Sequence, residues 1–294
     1  MYDLAWSEIN ENQVVAASGD GCVKLYDVTA NHYPIQNWKE HGREVFSVNW
    51  NLIAKDKFSS SSWDGTIKIW TPDRRESLLT LSTNSCTYSA SFSPHAPDIL
   101  SCVSSDSHLR VFDLRVSQAS SGYRAATIPI HAGGLSEVPA KPGVAPVQPV
   151  FHGSEALTHD WNKYRQSVVA VGGVDKILRT FDIRQPNRGP LSMAAGHGYA
   201  IRKVAWSPHF ADMLLTASYD MTCRIWSDGI MGGDDMINPA HTVVGNEIGL
   251  MPFHTEFATG VDWCMFGREG WCASVGWDER VCVWDARSFI HGHG

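Results

Sequence analysis

Hydrophobic and polar residues alternate along this chain in short runs. Thr66-Ile67-Lys68-Ile69-Trp70 alternates after the turn Trp63-Asp64-Gly65, and Val281-Cys282-Val283-Trp284 follows the turn at Asp278 in the same way. A period of two between turn residues predicts short antiparallel strands. The runs also recur in register. Six aspartates are each followed six residues later by an aromatic: Asp20/Tyr26, Asp64/Trp70, Asp106/Phe112, Asp175/Phe181, Asp220/Trp226 and Asp278/Trp284. Another aromatic stands 14 residues before five of them, at Trp6, Trp50, Phe92, Trp161 and Trp206, and 15 before the sixth, at Trp263. Two aromatics held in register with an aspartate this often mark a tandem repeat.

The six aspartates are 44, 42, 69, 45 and 58 residues apart. Three of these gaps fit the roughly 40–45-residue period of a WD-repeat blade, and the other two are that unit plus an insertion. Four-stranded sheets set radially give an all-β fold, a WD-repeat β-propeller with six recognisable repeats. We expect one domain over 1–294, with loop insertions near 132–150 and 228–251. Pro139, Pro142, Pro146 and Pro149 lie in the first, and Gly232-Gly233-Asp234-Asp235 in the second.

A third register involves histidine and serine. His41, His152 and His197 lie 23 residues before their aspartates and His254 lies 24 before; Ser18, Ser62, Ser104 and Ser218 lie two before. His41, Ser62, Asp64 and Trp70 make one full set, and His197, Ser218, Asp220 and Trp226 another. These resemble the hydrogen-bonded His–Ser–Asp–Trp sets of WD repeats. A catalytic triad occurs once per active site, so a recurring Ser/His/Asp set reads as structural: it satisfies buried polar groups and stitches strands together. Thr83 stands where the third repeat should have its histidine, and Gly173 and Gly276 replace serine in repeats four and six. For the fourth repeat, spacing favours His152 over His131.

Composition narrows the possibilities. Twelve Trp and a 43% hydrophobic share can fill the spaces between blades. The net charge of −7 argues against nucleic acid, which needs a basic patch, and suits a basic peptide. Seven dispersed Cys without a CxxC motif fit a reducing compartment. Neither a signal peptide nor an apolar run long enough to span a membrane is evident. His291 and His293 alone do not make a metal site. We expect no cofactor, no metal and no enzyme activity.

Particular stretches say more: His41-Gly42-Arg43-Glu44-Val45-Phe46-Ser47-Val48, Ser62 to Trp70 and Gly196-His197-Gly198-Tyr199-Ala200-Ile201-Arg202. Ser218-Tyr219-Asp220, His254-Thr255-Glu256-Phe257 and Gly276-Trp277-Asp278-Glu279 are more specific than the general WD pattern. Through them nearly the whole chain, apart from the insertions, resembles receptors for the type 2 peroxisomal targeting signal. The resemblance implies a non-enzymatic import receptor. Such receptors bind an N-terminal nonapeptide on cytosolic cargo, typically thiolase. With a co-receptor peroxin they deliver it to the peroxisomal docking complex, moving between cytoplasm and peroxisome without inserting into the membrane. The family has seven blades. This chain begins inside what would be the second, so we expect either an absent N-terminal blade or a six-bladed ring.

In a WD blade the aspartate turn and the histidine loop share one face. The residues just before the aspartates include Trp63, Tyr219 and Trp277, an apolar surface for the leucines of a signal peptide. Glu44, Glu155 and Glu256 follow the histidines, and Asp3 starts the first repeat; these acids suit the signal's leading Arg/Lys. Arg202 either orients an acid or meets the co-receptor. Two alternatives stay open. Phe112-Asp113-Leu114-Arg115, Phe181-Asp182-Ile183-Arg184 and Trp284-Asp285-Ala286-Arg287 resemble the Trp-Asp-x-Arg signature of cullin ubiquitin-ligase substrate adaptors, which also occurs in histone-binding propellers.

Overall fold

A computed structural model describes residues 1–30, 33–116, 123–131, 154–230, 241–265 and 267–290. The fold is a WD-repeat β-propeller built from six sheets, one per repeat, antiparallel but for one short strand of the fourth. Among the described residues there is no α-helix, only a 3-10 turn at Ala286–Phe289. By contacts the chain falls into two compact units, 1–127 and 128–294.

In the first unit, the first sheet holds β1 (Asp3–Trp6), β2 (Gln13–Ala17), β3 (Val23–Asp27) and β4 (Gln36–Trp38) in that order. The second holds β5 (Val45–Trp50), β6 (Phe58–Ser62), β7 (Thr66–Trp70) and β8 (Leu79–Ser82). The third holds β9 (Thr87–Phe92), β10 (Ile99–Ser104), β11 (His108–Asp113) and β12 (Arg124–Pro129). Alternation gives each sheet two apolar faces. One carries small or aliphatic side chains; the other carries the two aromatics of the repeat. The aliphatic face of the first sheet (Ala5, Val15, Ala17, Val23, Leu25) packs on the aromatic face of the second (Val48, Trp50, Phe58, Trp70). Ile67, Ile69 and Leu81 of the second cover Ala90, Phe92, Leu100 and Phe112 of the third in the same sense.

The second unit follows the same rule. Its sheets are β13 (Ala156–Trp161), β14 (Val168–Gly173), β15 (Ile177–Asp182) and β16 (Ser192–Ala195); β17 (Ile201–Trp206), β18 (Met213–Ser218) and β19 (Cys223–Ser227); and β22 (Ala258–Trp263), β23 (Trp271–Gly276) and β24 (Val281–Asp285). The stretch 228–251, expected as a loop, contributes two strands. β20 (Val243–Val244) adds to the fourth sheet parallel to β16, and β21 (Asn246–Met251) is the outer strand of the fifth. Ile230 and Val243 join the core between these two sheets. Polar residues dilute the alternation there: Asn246-Glu247 and Gly249 interrupt it, so apolar pairing and not local pattern decides the strand. The insertion near 132–150 lies outside the described residues.

Each repeat turns on its aspartate. The next residue takes a left-handed backbone every time: Gly21, Gly65, Ser107, Lys176, Met221 and Glu279 have φ between 60° and 80°. The carboxylate accepts the backbone N–H two residues on in five of the six turns, as at Asp64 Oδ1 to Thr66 N, 2.9 Å. This Asx-type bond offsets the strain of non-glycine residues at positive φ.

Candidate functional site

Three repeats carry a complete hydrogen-bonded set, but its hydroxyl is not the expected one. His41 Nδ1 lies 2.9 Å from Asp64 Oδ2, while His41 Nε2 meets Ser60 Oγ at 2.8 Å and Trp70 Nε1 donates to that same oxygen at 2.8 Å. In the fifth sheet His197 lies 2.8 Å from Asp220, 2.6 Å from Thr216 Oγ1, and Trp226 donates to Thr216 at 2.7 Å. The sixth sheet, incomplete by its Gly276, is completed by Ser274: 2.9 Å from His254 Nε2 and 3.2 Å from Trp284 Nε1. The bridging hydroxyl therefore sits four residues before the aspartate, level with the indole. Ser62 and Ser218, expected in that role, instead donate to Arg43 O and Tyr199 O and accept the aspartate's own N–H. Gly173 and Gly276 have no room for a side chain. A Cβ would stand 2.2 Å from Glu155 O at the first, and 2.8 Å from His254 Nδ1 at the second.

Charge and tautomer follow from these contacts. Burial opposes ionisation of Asp64 and Asp220. Even so, hydrogen bonds from His41, Thr66 and Gly42 N–H in one case, and from His197, Thr222 and Gly198 N–H in the other, hold both carboxyls well below the usual range. An ionised carboxylate only accepts, so Nδ1 carries the proton. Burial pushes the His197 pKa down against the pull of Asp220. The neutral ring then accepts the Thr216 proton at Nε2.

The other three repeats use a cation four residues after the aspartate. Lys24 meets Asp20 at 2.9 Å; Arg110 donates to Asp106, with Nη1 at 3.0 Å; and Arg179 pairs with Asp175. These are also the repeats whose later aromatic, Tyr26, Phe112 or Phe181, lacks the indole N–H. In the fourth repeat it is His131 that stands beside Asp175, with Nδ1 3.8 Å away. His152, selected by spacing, lies outside the described residues. Among the described residues no cluster of three His, Cys, Asp or Glu is placed to hold a metal, and no helix is long and apolar enough to cross a membrane.

The candidate peptide-binding residues divide between the units. In the first, Trp63 stacks on Phe46 at 4.6 Å, Phe46 stacks on Tyr2 at 4.4 Å, and Tyr88 meets both Phe46 and Trp63 edge-on. The Arg43 guanidinium sits 5.3 Å from the Trp63 ring centre, and its Nε is 3.7 Å from half-buried Glu44. Asp3 is partly buried and accepts Val48 N–H at 3.1 Å, so it ties β1 to β5. In the second unit, Tyr219, Phe257 and Trp277 form one cluster, with ring centres 5.0, 5.1 and 6.4 Å apart. Trp277 is 65% exposed and Glu256, beside Phe257 in the chain, is exposed. Glu155 and Arg202 are half-buried; Glu155 O accepts Val174 N–H.

The family pattern described as WD domain, G-beta repeat matches residues 32–71, 75–113 and 189–227. The chain is 38% identical to the peroxisomal targeting signal 2 receptor of Saccharomyces cerevisiae, over 97% of this chain and 83% of that protein. The receptor of Komagataella phaffii is likewise 38% identical, over 98% of this chain and 83% of its own length. Peroxisome biogenesis protein 7 of Arabidopsis thaliana is 37% identical over 97% of this chain and 78% of its own. The chain belongs to the peroxisomal targeting signal 2 receptor family.

Within this receptor framework, sequence reading missed Phe46, Tyr88 and Phe257. Phe46 and Tyr88 stand 18 residues before Asp64 and Asp106, as Tyr2 stands 18 before Asp20, so a further aromatic register marks them; Phe257, in the loop entering β22, lies outside it. The Trp-Asp-x-Arg-like arginines have a local role. Arg115, Arg184 and Arg287 each fold back on the aspartate two residues earlier with two guanidinium nitrogens, at 2.7–3.0 Å.

Proposed function

We propose that this protein is a peroxisomal import receptor. It binds the N-terminal type 2 signal of thiolase-like cargo, of the form Arg/Lys, Leu/Val/Ile, five variable residues, His/Gln, Leu/Ala. With a co-receptor peroxin it passes the cargo to the peroxisomal docking complex, moving between cytoplasm and peroxisome. The observation that carries this is the identity to relatives named as receptors for this signal across nearly the whole chain, 97% of it in the yeast case.

The chemistry of the site supports the reading. Tyr219, Phe257 and exposed Trp277 offer a clustered aromatic surface for the signal's apolar side chains. Within residues 128–294, Glu256 and Glu155 offer carboxylates for its leading cation; within residues 1–127, Glu44 offers the same chemistry near the Trp63 stack. Asp3 and Arg202 take supporting places: Asp3 holds β1 against β5, and Arg202 lies on β17. A free nonapeptide is too short to keep a helix in water, so it orders on binding at a cost in affinity. A co-receptor covering its outer side offsets that cost.

The test is binding of a fluorescent Arg-Leu-x5-His-Leu peptide, with and without a co-receptor fragment, against a peptide carrying Glu for Arg. Binding that the Glu peptide loses is the expected result. Folded protein that binds neither peptide, even with the co-receptor, sinks the proposal.

A further inference from the structure

One hairpin loop of the second sheet joins an exposed basic motif to a hydrogen-bonded clasp. β7 ends at Trp70 and β8 starts at Leu79; Pro72-Asp73-Arg74-Arg75-Glu76-Ser77-Leu78 runs between them. The base of the loop is fixed. Leu78 N donates to Ile69 O at 2.7 Å, and the Trp38 indole N–H donates to Arg74 O at 2.7 Å. The tip carries free charge: Arg74, Arg75 and Glu76 are exposed, and neither guanidinium has a hydrogen-bond or ion-pair partner among the described residues. Two arginines, one residue, then serine and an apolar residue suit an acid-lined kinase cleft. The guanidiniums pair with its carboxylates, and that pairing sets the serine at the transferred phosphoryl group. No other serine or threonine of the chain follows two adjacent arginines at this interval.

We propose that Ser77 is a phosphorylation site for an arginine-directed protein kinase, and that Glu40 is the latch that controls it. Ser77 is half-buried and one carboxylate holds it. Glu40 Oε1 accepts Ser77 N–H at 2.8 Å, while Glu40 Oε2 accepts the Ser77 hydroxyl at 2.7 Å and Lys68 Nζ at 3.1 Å. Burial opposes ionisation of Glu40, yet these donors hold its carboxyl below the usual range. A kinase cleft takes an extended chain, whereas the loop bends at Arg75, Glu76 and Leu78. Straightening it breaks both bonds from Ser77 to Glu40. In the transfer, Ser77 Oγ bonds to the γ-phosphorus of ATP, the bond from that phosphorus to its bridging oxygen breaks, ADP leaves, and the hydroxyl proton passes to a carboxylate of the kinase. The latch does not re-form on the product. Phosphoserine brings a charge of about −2 and oxygens that accept, set against a Glu40 carboxylate that also only accepts. Lys68 Nζ, which already bridges Glu40 and Thr80 Oγ1 at 3.0 Å, is left to pair with the phosphate. Glu40 precedes His41 in the chain, so the mark is written at the entrance to the hydrogen-bonded set of the second sheet.

The experiment incubates the full chain with ATP and the catalytic subunit of cyclic-AMP-dependent protein kinase, an arginine-directed enzyme. Mass spectrometry follows phosphate incorporation and locates it. The chains are wild-type, Ser77→Ala, the double variant Arg74→Ala with Arg75→Ala, and Glu40→Ala, each checked for folding by circular dichroism. Wild-type is expected to take one phosphate, at Ser77, and Ser77→Ala none. The double arginine variant should be modified at least tenfold more slowly. Glu40→Ala should be modified about tenfold faster, because its hydroxyl and N–H no longer leave a charged acceptor. Folded wild-type and Glu40→Ala chains that both stay unmodified overturn the proposal, as does phosphate that persists in Ser77→Ala at the wild-type level. Glu40→Ala modified no faster than wild-type overturns the latch.

Discussion

Thr216 carries two buried neighbours on one hydroxyl, and its removal by shape-preserving Thr216→Val strands both the Trp226 N–H and His197 Nε2. That should cost about 2–3 kcal/mol. Ser218→Ala removes bonds to a carbonyl and a turn N–H and should cost about 1 kcal/mol; urea unfolding of the two checks the order. These two hydroxyls were not separable in the sequence. Positions two and four before the aspartate point to the same side of the strand, and in Ser59-Ser60-Ser61-Ser62 both are serine. Only depth, which puts Ser60 level with Trp70, decides. The aspartates, histidines and tryptophans were legible because each is one residue type at a fixed interval. Acid sensitivity follows from the same set. His197 has a folded pKa below its unfolded value of about 6.5. The unfolded chain therefore takes up its proton first, and stability falls as pH drops below that value. The lowered carboxyl of Asp220 adds a second loss, beginning near the unfolded value of about 3.9 and continuing as pH falls through the folded one. His197→Gln should flatten the first fall, between pH 7 and 5, in thermal midpoints measured across that range.

At the scale of a strand and its turn, left-handed geometry after each aspartate is obligatory but glycine is not, since Ser107, Lys176, Met221 and Glu279 adopt it. Met221→Val places a β-branched residue where a straight chain is already strained, and should lower stability by about 1–2 kcal/mol. Met221→Gly trades relief of that strain against chain entropy and should stay within about 1 kcal/mol of wild-type. Differential scanning calorimetry distinguishes them. Turns and inner strands were legible from alternation and spacing. The outer strand β21 was not, because Asn246-Glu247-Ile248-Gly249 has too little apolar rhythm. Spacing favours His152 over His131 because an insertion breaks the interval, yet His131 stands beside Asp175.

Across the whole molecule, the sixfold register announced the propeller, whereas the division into units 1–127 and 128–294 depends on long-range contacts that no local pattern encodes. The rim aromatics were half legible: Trp277 and Tyr219 precede aspartates, while Phe257 completes their cluster from outside any register. Trp277→Ala should weaken signal-peptide binding at least tenfold, about 1.4 kcal/mol. Its thermal midpoint should stay unchanged, because the ring is mostly exposed; fluorescence anisotropy with the labelled peptide checks it. The two ways of neutralising the turn aspartate carry a consequence for how such a chain diversifies. Histidine, hydroxyl and indole change together, and the closely paired cation goes with the plain aromatic ring, while the fifth repeat keeps Arg224 3.7 Å from Asp220 and the fourth keeps His131 beside Asp175. A hairpin moved from the third repeat into the second would set Arg110 against His41 and leave that imidazole facing Cys102 in place of Ser60. The repeats share an ancestry of shape but are no longer exchangeable parts, and recombination between unlike repeats should yield chains that do not fold.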